Sequence, residues 1–191
     1  MTNTAFSSLP LAAEILAAIQ SLDYQQMTPI QAQSLPALLK GKDMLAQAKT
    51  GSGKTAAFAI SILHQLDVSI MKTQALVLCP TRELADQVSK EIRSLARAIA
   101  NTRIVTLCGG TPLGPQLTSM QHHPHIVVGT PGRIAKHIQK ASLKLDGLKM
   151  LVLDEADRML DMGFIRDVKR ILEAMKDRTH TMLFSATLSH R

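Results

Sequence analysis

The chain has no tryptophan, one tyrosine and four phenylalanines among its 191 residues. So few aromatic rings argue against recognising single strands by stacking bases on exposed side chains. Cysteine is nearly absent too. Cys79 and Cys108 each end an apolar run, without the spacing of a metal or redox pair, and read as small buried residues. Two unpaired thiols suit a reducing compartment. No basic segment followed by an apolar one opens the chain, and no apolar run reaches membrane-spanning length. A soluble, cytoplasmic protein with no membrane partner is the expectation. His122, His123 and His125 flank a proline at a strand entrance with no matching Cys or acidic ligands, which argues against a metal there.

What is present is a large apolar fraction, 46%, and a net charge of +7. The first supports one α/β-sized core. The second suggests nucleic acid, an anionic membrane surface or an anionic substrate, against the plainer reading of a lysine-rich solvated surface. Short apolar, β-branched runs at 43–47, 75–79, 103–107, 125–129, 150–154 and 181–184 predict strands. Helical patterns at 54–66, 82–100, 113–121, 131–140 and 164–176 separate them. Leu84, Val88, Ile92, Leu95 and Ile99 recur at steps of four and three and mark one apolar helix face. Such alternation predicts a mostly parallel central sheet with helices on both faces, joined by right-handed crossovers. Two further helices, near 9–22 and 29–39, precede the first strand, so residues 1–40 read as a helical addition packed on a core of 41–191. The segment 159–164 reads as a helix end and a turn. In such sheets ligands gather at the carboxyl ends of the strands, and every Gly- or Pro-rich loop here follows a predicted strand.

One of those loops reads Ala48-Lys49-Thr50-Gly51-Ser52-Gly53-Lys54-Thr55. It follows a strand and opens a helix, the setting of a phosphate-binding loop. Gly51 and Gly53 let backbone amides approach phosphate, and the helix start adds its positive dipole end. Lys54 supplies a charge for the β/γ-phosphates and Thr55 a hydroxyl for Mg2+. Ala48 stands where the strict pattern opens with glycine. Asp154, at the end of a buried strand, is the matching Mg2+ ligand, partly through water. Glu155 beside it is placed to orient or deprotonate an attacking water. The competing reading of this pair, acids placed for a helix dipole, leaves the phosphate loop unexplained. The substrate class is therefore a nucleoside triphosphate with magnesium.

The full set of motifs resembles the DEAD-box family of ATP-dependent RNA helicases, in superfamily 2. The resemblance covers nearly the whole chain: Thr28-Pro29-Ile30-Gln31, the phosphate loop, Pro80-Thr81-Arg82-Glu83-Leu84-Ala85, Gly109-Gly110, Thr130-Pro131-Gly132-Arg133, Asp154-Glu155-Ala156-Asp157 and Ser185-Ala186-Thr187, in the family's order. Met27 stands where the family usually has proline. The wording around residues 73–88 and 107–110 is similar to bacterial ribosomal-RNA helicases. The resemblance implies a RecA-like P-loop fold and ATP as nucleotide. Gln31 would bond the adenine edge, which needs a donor and an acceptor together. Tyr24 would stack on the base, with Phe6 as the motif's isolated upstream aromatic. Arg82, Gly110, Thr130 and Arg133 would hold RNA backbone, by contacts that carry no base information. Asp157, Ser185 and Thr187 would couple nucleotide state to domain closure. Arg133, Lys136 and Lys140 share a helix face, as do Lys90, Arg93 and Arg97; a solvated surface is the plainer reading of both. The motifs of the family's second RecA-like domain do not occur in this sequence. The expectation is a monomeric first half of a helicase core, nearly inactive in turnover alone, whose RNA partner includes ribosomal RNA in large-subunit assembly. A non-catalytic RNA-binding module with a vestigial nucleotide site is the alternative.

Overall fold

The computed structural model describes residues 3–175, 177 and 179–188. Its six strands are β1 (Met44–Gln47), β2 (Ala75–Leu78), β3 (Ile104–Leu107), β4 (Ile126–Gly129), β5 (Met150–Leu153) and β6 (His180–Ser185). They form one sheet in the order β1-β6-β5-β2-β4-β3, with every adjacent pair parallel. The expected parallel sheet is thus parallel throughout the described residues. β2, β4 and β5 are buried at every position, as strands covered on both faces must be. Successive side chains of a strand point to opposite faces. Val77, Val128 and Val152 accordingly join one apolar cluster, while Leu76, Val127 and Leu151 join the other.

On the first face lie α3 (Lys54–Gln65) and α4 (Arg82–Ala96), with α1 (Ala13–Ser21) and α2 (Pro29–Leu38) packed outside them. α3 is buried along nearly all of its length because it lies between the sheet and these outer helices. Its Phe58 meets Phe184 of β6 with ring centroids 5.6 Å apart. The remaining helices are α5 (Leu113–Met120), α6 (Pro131–Gln139), α7 (Ala156–Asp161) and α8 (Ile165–Ala174). Ile134 of α6 and Ile171 of α8 sit in the second apolar cluster.

Several boundaries move for local reasons. The first helix starts at Ala13, not near residue 9. Leu9 precedes Pro10 and is extended, at φ −90° and ψ 149°, the backbone that proline imposes on its predecessor. A one-turn 3-10 helix at Phe6–Ser8 precedes it, unmarked by any periodicity, and buries Phe6. α4 stops at Ala96 rather than at 100. The helix end expected at 159–164 belongs to a separate short helix, α7, which closes at Asp161 before the turn. The predicted helix 164–176 ends at Ala174, and its residue 176 lies outside the described residues.

The N-terminal segment shares the main core. Phe6, Leu9, Ile15 and Ile19 join the cluster that holds α3 and α4. The Met27 amide donates to the Thr4 carbonyl at 2.7 Å. Tyr24 fastens the loop between α1 and α2 to α4: its hydroxyl donates to Glu91 Oε1 at 3.0 Å. Burial, and then the facing Glu91 carboxylate, push the Tyr24 phenol up to about 12. Burial also raises the Glu91 carboxyl.

Two outcomes follow. Tyr24 is the only tyrosine and there is no tryptophan, so phenolate absorbance reads it directly. At about pH 11 it should be roughly one tenth ionised, against about nine tenths for an ordinary phenol, and Glu91→Gln should restore part of the difference, the share due to burial remaining. Because the folded value lies above the unfolded one, the associated stability is present below about pH 10 and is lost as pH rises towards about 12. The second concerns Gly129, where a methyl group would lie 2.1 Å from the Leu107 carbonyl oxygen and 2.8 Å from Ile134 Cδ1. Gly129→Ala should lower stability by about 3 kcal/mol, measured as a reduced urea midpoint. Gly114→Ala, with open space at the same position, should cost nothing.

Candidate functional site

Parallel pairing brings every motif loop to one edge. Gln47 of β1 is in register with Ser185 of β6, Leu153 of β5 with Leu78 of β2, and Leu78 with Gly129 of β4, which pairs with Leu107 of β3. Strand order then divides the edge in two. The phosphate loop, the 185–187 turn and Asp154-Glu155 follow β1, β6 and β5. The loops at 80–82, 130–133 and 109–110 follow β2, β4 and β3.

In the first half, Gly51 and Gly53 both hold positive φ, 82° and 87°. Gly53 is the N-cap of α3, and no side chain caps that helix, so its first amides remain to face a ligand. The Ser52 hydroxyl is buried and has no hydrogen-bond partner among the described residues. Lys54, 4% exposed, places Nζ 2.8 Å from Asp154 Oδ1 and 3.8 Å from Glu155 Oε1. Lys54 thus engages one carboxylate oxygen of Asp154 as a buried ion pair, and by strict geometry neither oxygen has a well-formed hydrogen bond among the described residues, so both keep lone pairs to offer. Burial pushes the Asp154 carboxyl above its usual range, against the pull of Lys54. A buried carboxylate with free lone pairs, beside an uncapped helix start, suits a hard cation shared with phosphate oxygens. Thr55 stands at the second position of α3, next to Lys54.

Glu155 adopts the left-handed region, φ 51° and ψ 53°, a strained backbone for a residue with a side chain and one concentrated at functional sites. Its Oε1 accepts from the Thr50 hydroxyl at 3.1 Å, and its Oε2 faces Arg158 at 3.3 Å. Both acidic residues of the pair are therefore tied to the phosphate loop across the end of β6. Beside them, Asp157 Oδ2 accepts from the Thr187 amide at 3.1 Å and hydroxyl at 2.9 Å. Partial burial raises the Asp157 carboxyl, but these bonds and one from the Arg158 amide outweigh it, so it lies below the usual range. The Ser185 hydroxyl donates to the Thr187 carbonyl at 2.7 Å, and the Ala48 amide to the Ser185 carbonyl at 2.9 Å.

Gln31 reaches this half from α2. Its Oε1 accepts from the Thr28 amide at 2.9 Å, and its Nε2 donates to the Gly53 carbonyl at 3.0 Å. A methyl group on Gly53 would lie 2.6 Å from both Gln31 Nε2 and Thr28 Oγ1. The amide keeps one donor and one acceptor position beyond these bonds. Tyr24 is anchored instead to α4 through Glu91, and Phe6 is core, 4% exposed.

In the second half, Arg82, Thr130 and Arg133 line a groove of about 500 Å³, with Gly109 between them. Arg82 is exposed at the start of α4, and Gly110, also exposed, holds φ 78°. The Thr130 hydroxyl accepts from the Gly109 amide at 3.1 Å. Arg133 Nη1 donates to the Thr111 carbonyl at 2.9 Å and to Gln116 Oε1 at 3.0 Å. Met162 and Phe164 form an apolar wall of the groove. Sequence reasoning missed their position, since it treats methionines as core filler. It also missed Gln116, although an amide stands with Leu113, Leu117 and Met120 at helical spacing on the inward side of α5, where a polar side chain needs partners.

Other expectations find their places. Cys79 and Cys108 are buried thiols, and burial pushes Cys108 up to about 11 and Cys79 well above its usual value. His125 is a bridge within the fold: Nδ1 accepts from the Arg103 amide at 3.1 Å and Nε2 lies 3.0 Å from the Val68 carbonyl. No helix among the described residues is long and apolar enough to cross a membrane.

Comparison with known proteins addresses the same site. The chain is 57% identical over 185 residues to the ATP-dependent RNA helicase DbpA of Escherichia coli K12, covering 96% of this chain and 40% of that protein. A DEAD box protein of the hyperthermophile Methanococcus jannaschii superposes with a TM-score of 0.92 at 43% identity, over 97% of this chain and 51% of the other. An S. cerevisiae Dbp5 variant solved with RNA and ADP BeF3 superposes at 0.89 and 31% identity, over 97% and 47%. The chain thus spans about half or less of the relatives it matches. The model of the DEAD/DEAH box helicase family matches residues 28–191. That span runs from the capping turn of α2 through the phosphate loop to the last strand, and it shows that this chain belongs to the DEAD/DEAH box helicase family.

Proposed function

We propose that the chain is the ATP-binding half of an ATP-dependent RNA helicase. One observation carries the reading. A buried carboxylate with lone pairs to spare, Asp154, is held against a buried ammonium, Lys54, at the foot of an uncapped helix. Neither charge is well served by the other alone, and a magnesium-bound triphosphate would serve both.

Lys54 and the amides of residues 51–55 would hold the phosphates. Thr55 and Asp154 would hold Mg2+, which when bound neutralises phosphate charge and orders the transferred group. Glu155 would accept a proton from the attacking water, releasing Thr50 as it does so. Gln31 would read adenine with its remaining donor and acceptor. Tyr24, held by Glu91, would close the base side of the site. Lys49 and Thr50 complete the loop with Ala48.

Arg82, Gly110, Thr130 and Arg133 would hold RNA backbone along the second half of the edge, with binding that weakens as salt rises. The bonds from Thr187 to Asp157 give nucleotide binding a route to the neighbouring turn, and Ser185 holds that turn's shape. The proposed partner across the cleft is a second RecA-like domain, which would complete hydrolysis. The similarity to the Escherichia coli RNA helicase supports a role on RNA, and we extend it, as a proposal, to the cytoplasm and to ribosomal RNA in large-subunit assembly.

Fluorescent ADP titration of the 191-residue chain, with and without Mg2+, tests the site. Lys54→Ala should weaken binding at least about tenfold, roughly 1.4 kcal/mol. Asp154→Asn should abolish the gain in affinity that Mg2+ confers. Equal affinity for Lys54→Ala and the unaltered chain would sink this reading and leave a nucleotide-independent RNA-binding module.

A further inference from the structure

We propose that Gln116 is the positioning residue of the RNA-facing half, locking Arg133 and the 108–111 loop into one arrangement. The inference rests on the reading of that half as an RNA surface.

Its side-chain amide is nearly buried, 9% exposed, and uses all its hydrogen-bonding capacity. Arginine can only donate, so the atom 3.0 Å from Arg133 Nη1 must be the carbonyl oxygen Oε1. The Nε2 group then donates to the Cys108 carbonyl at 3.0 Å and to Thr111 Oγ1 at 2.8 Å. Thr111 is free to accept, because its own hydroxyl proton goes to the Cys108 carbonyl at 2.9 Å. The second lone pair of Oε1 lies 2.9 Å from His137 Nε2, which must carry a hydrogen. His137 is buried, and burial together with Arg133 and Lys136 lowers its basicity. Its Nδ1 then faces the Ser142 hydroxyl at 2.7 Å, whose proton is shared with the His137 carbonyl at 3.1 Å.

Two donors and two acceptors are thus each matched, and the amide can neither rotate nor flip without stranding a buried polar group. The consequence falls on Arg133. Both Nη1 hydrogens point inward, to Thr111 and Gln116. The hydrogens on Nε and Nη2 have no partner among the described residues and remain for a ligand. The loop itself is tied at both ends: at Gly109 through Thr130, and at Cys108 and Thr111 through Gln116. Gly109 and Gly110, with no side chains to steady them, depend on those ties for their direction. No single one of these residues carries a phosphate-binding signature apart from Arg133, yet the amide decides where Arg133 points and holds the ends of the loop that carries the glycines.

NMR titration of the 191-residue chain with a single-stranded oligouridylate, and separately with Mg-ADP, tests this. The variants are Gln116→Met, which keeps side-chain length but no hydrogen bonds, Arg133→Ala, Arg82→Ala and the Gln116→Met/Arg133→Ala pair. Gln116→Met should weaken RNA binding about fivefold to tenfold and lower the salt slope by about one, as loss of one phosphate contact does. ADP-induced shifts over residues 51–55 should be unchanged. The double variant should bind RNA within about twofold of Arg133→Ala, since coupled residues are non-additive. Multiplicative losses, or RNA affinity unchanged in Gln116→Met, would overturn the proposal. If Arg82→Ala and Arg133→Ala also leave RNA binding intact, the RNA surface itself is wrong and the positioning role falls with it. If they weaken binding and Gln116→Met does not, only the positioning role fails. Should Gln116→Met not fold, Gln116→Glu keeps oxygens for Arg133 and His137 while losing both Nε2 donations, to the Cys108 carbonyl and to Thr111 Oγ1; the same RNA comparison then decides.

Discussion

Three adjacent strands, β5, β2 and β4, expose no residue to solvent, and the rest of the molecule follows from that burial. Buried strands must satisfy every backbone group within the sheet and cover both faces with helices. Parallel pairing meets both demands, because each crossover carries a helix. It also sends every strand's carboxyl end the same way. The chemistry-bearing loops share one edge because the core permits little else.

That edge contains groups that do little for stability. Lys54 and Asp154 are both buried, and desolvation of such a pair can exceed its Coulomb gain. Asp154 shows the cost directly, with burial holding its carboxyl above the usual range despite Lys54. Glu155 adds a left-handed backbone. The loop beside them carries two glycines at positive φ and an uncapped helix. Local rules are broken where function needs charge and open amides, and the apolar clusters on both faces hold the arrangement in place.

Much of this was legible in the chain. Strand positions, the alternation with helices and the phosphate loop were visible because burial imposes a periodicity and phosphate imposes glycines. Boundaries were less visible: proline at residue 10 displaced α1, and α7 is too short to show a period. Gln31 was identifiable as an amide at a motif position, but its bond to the Gly53 carbonyl joins residues 22 apart and has no local signature. Tyr24 is identifiable as the motif's aromatic, but the bond that fixes its hydroxyl to Glu91 joins residues 67 apart and has no local signature either. Gln116 escaped notice because its meaning lies wholly in four partners from two other segments, the 108–111 loop and α6.

The sequence by itself determined which chemistry is available: a phosphate loop, a paired acid at a strand end, arginines and glycines at loop positions. Those are properties of residue type and short spacing, which chain geometry carries locally. The tertiary structure decided which of them meet. Strand order, not chain order, set the phosphate loop opposite Asp154 and Glu155 and gathered Arg82, Thr130 and Arg133 around a separate groove. The physical reason is that crossovers skip positions: β1 and β2 follow one another in sequence, yet β6 and β5 lie between them.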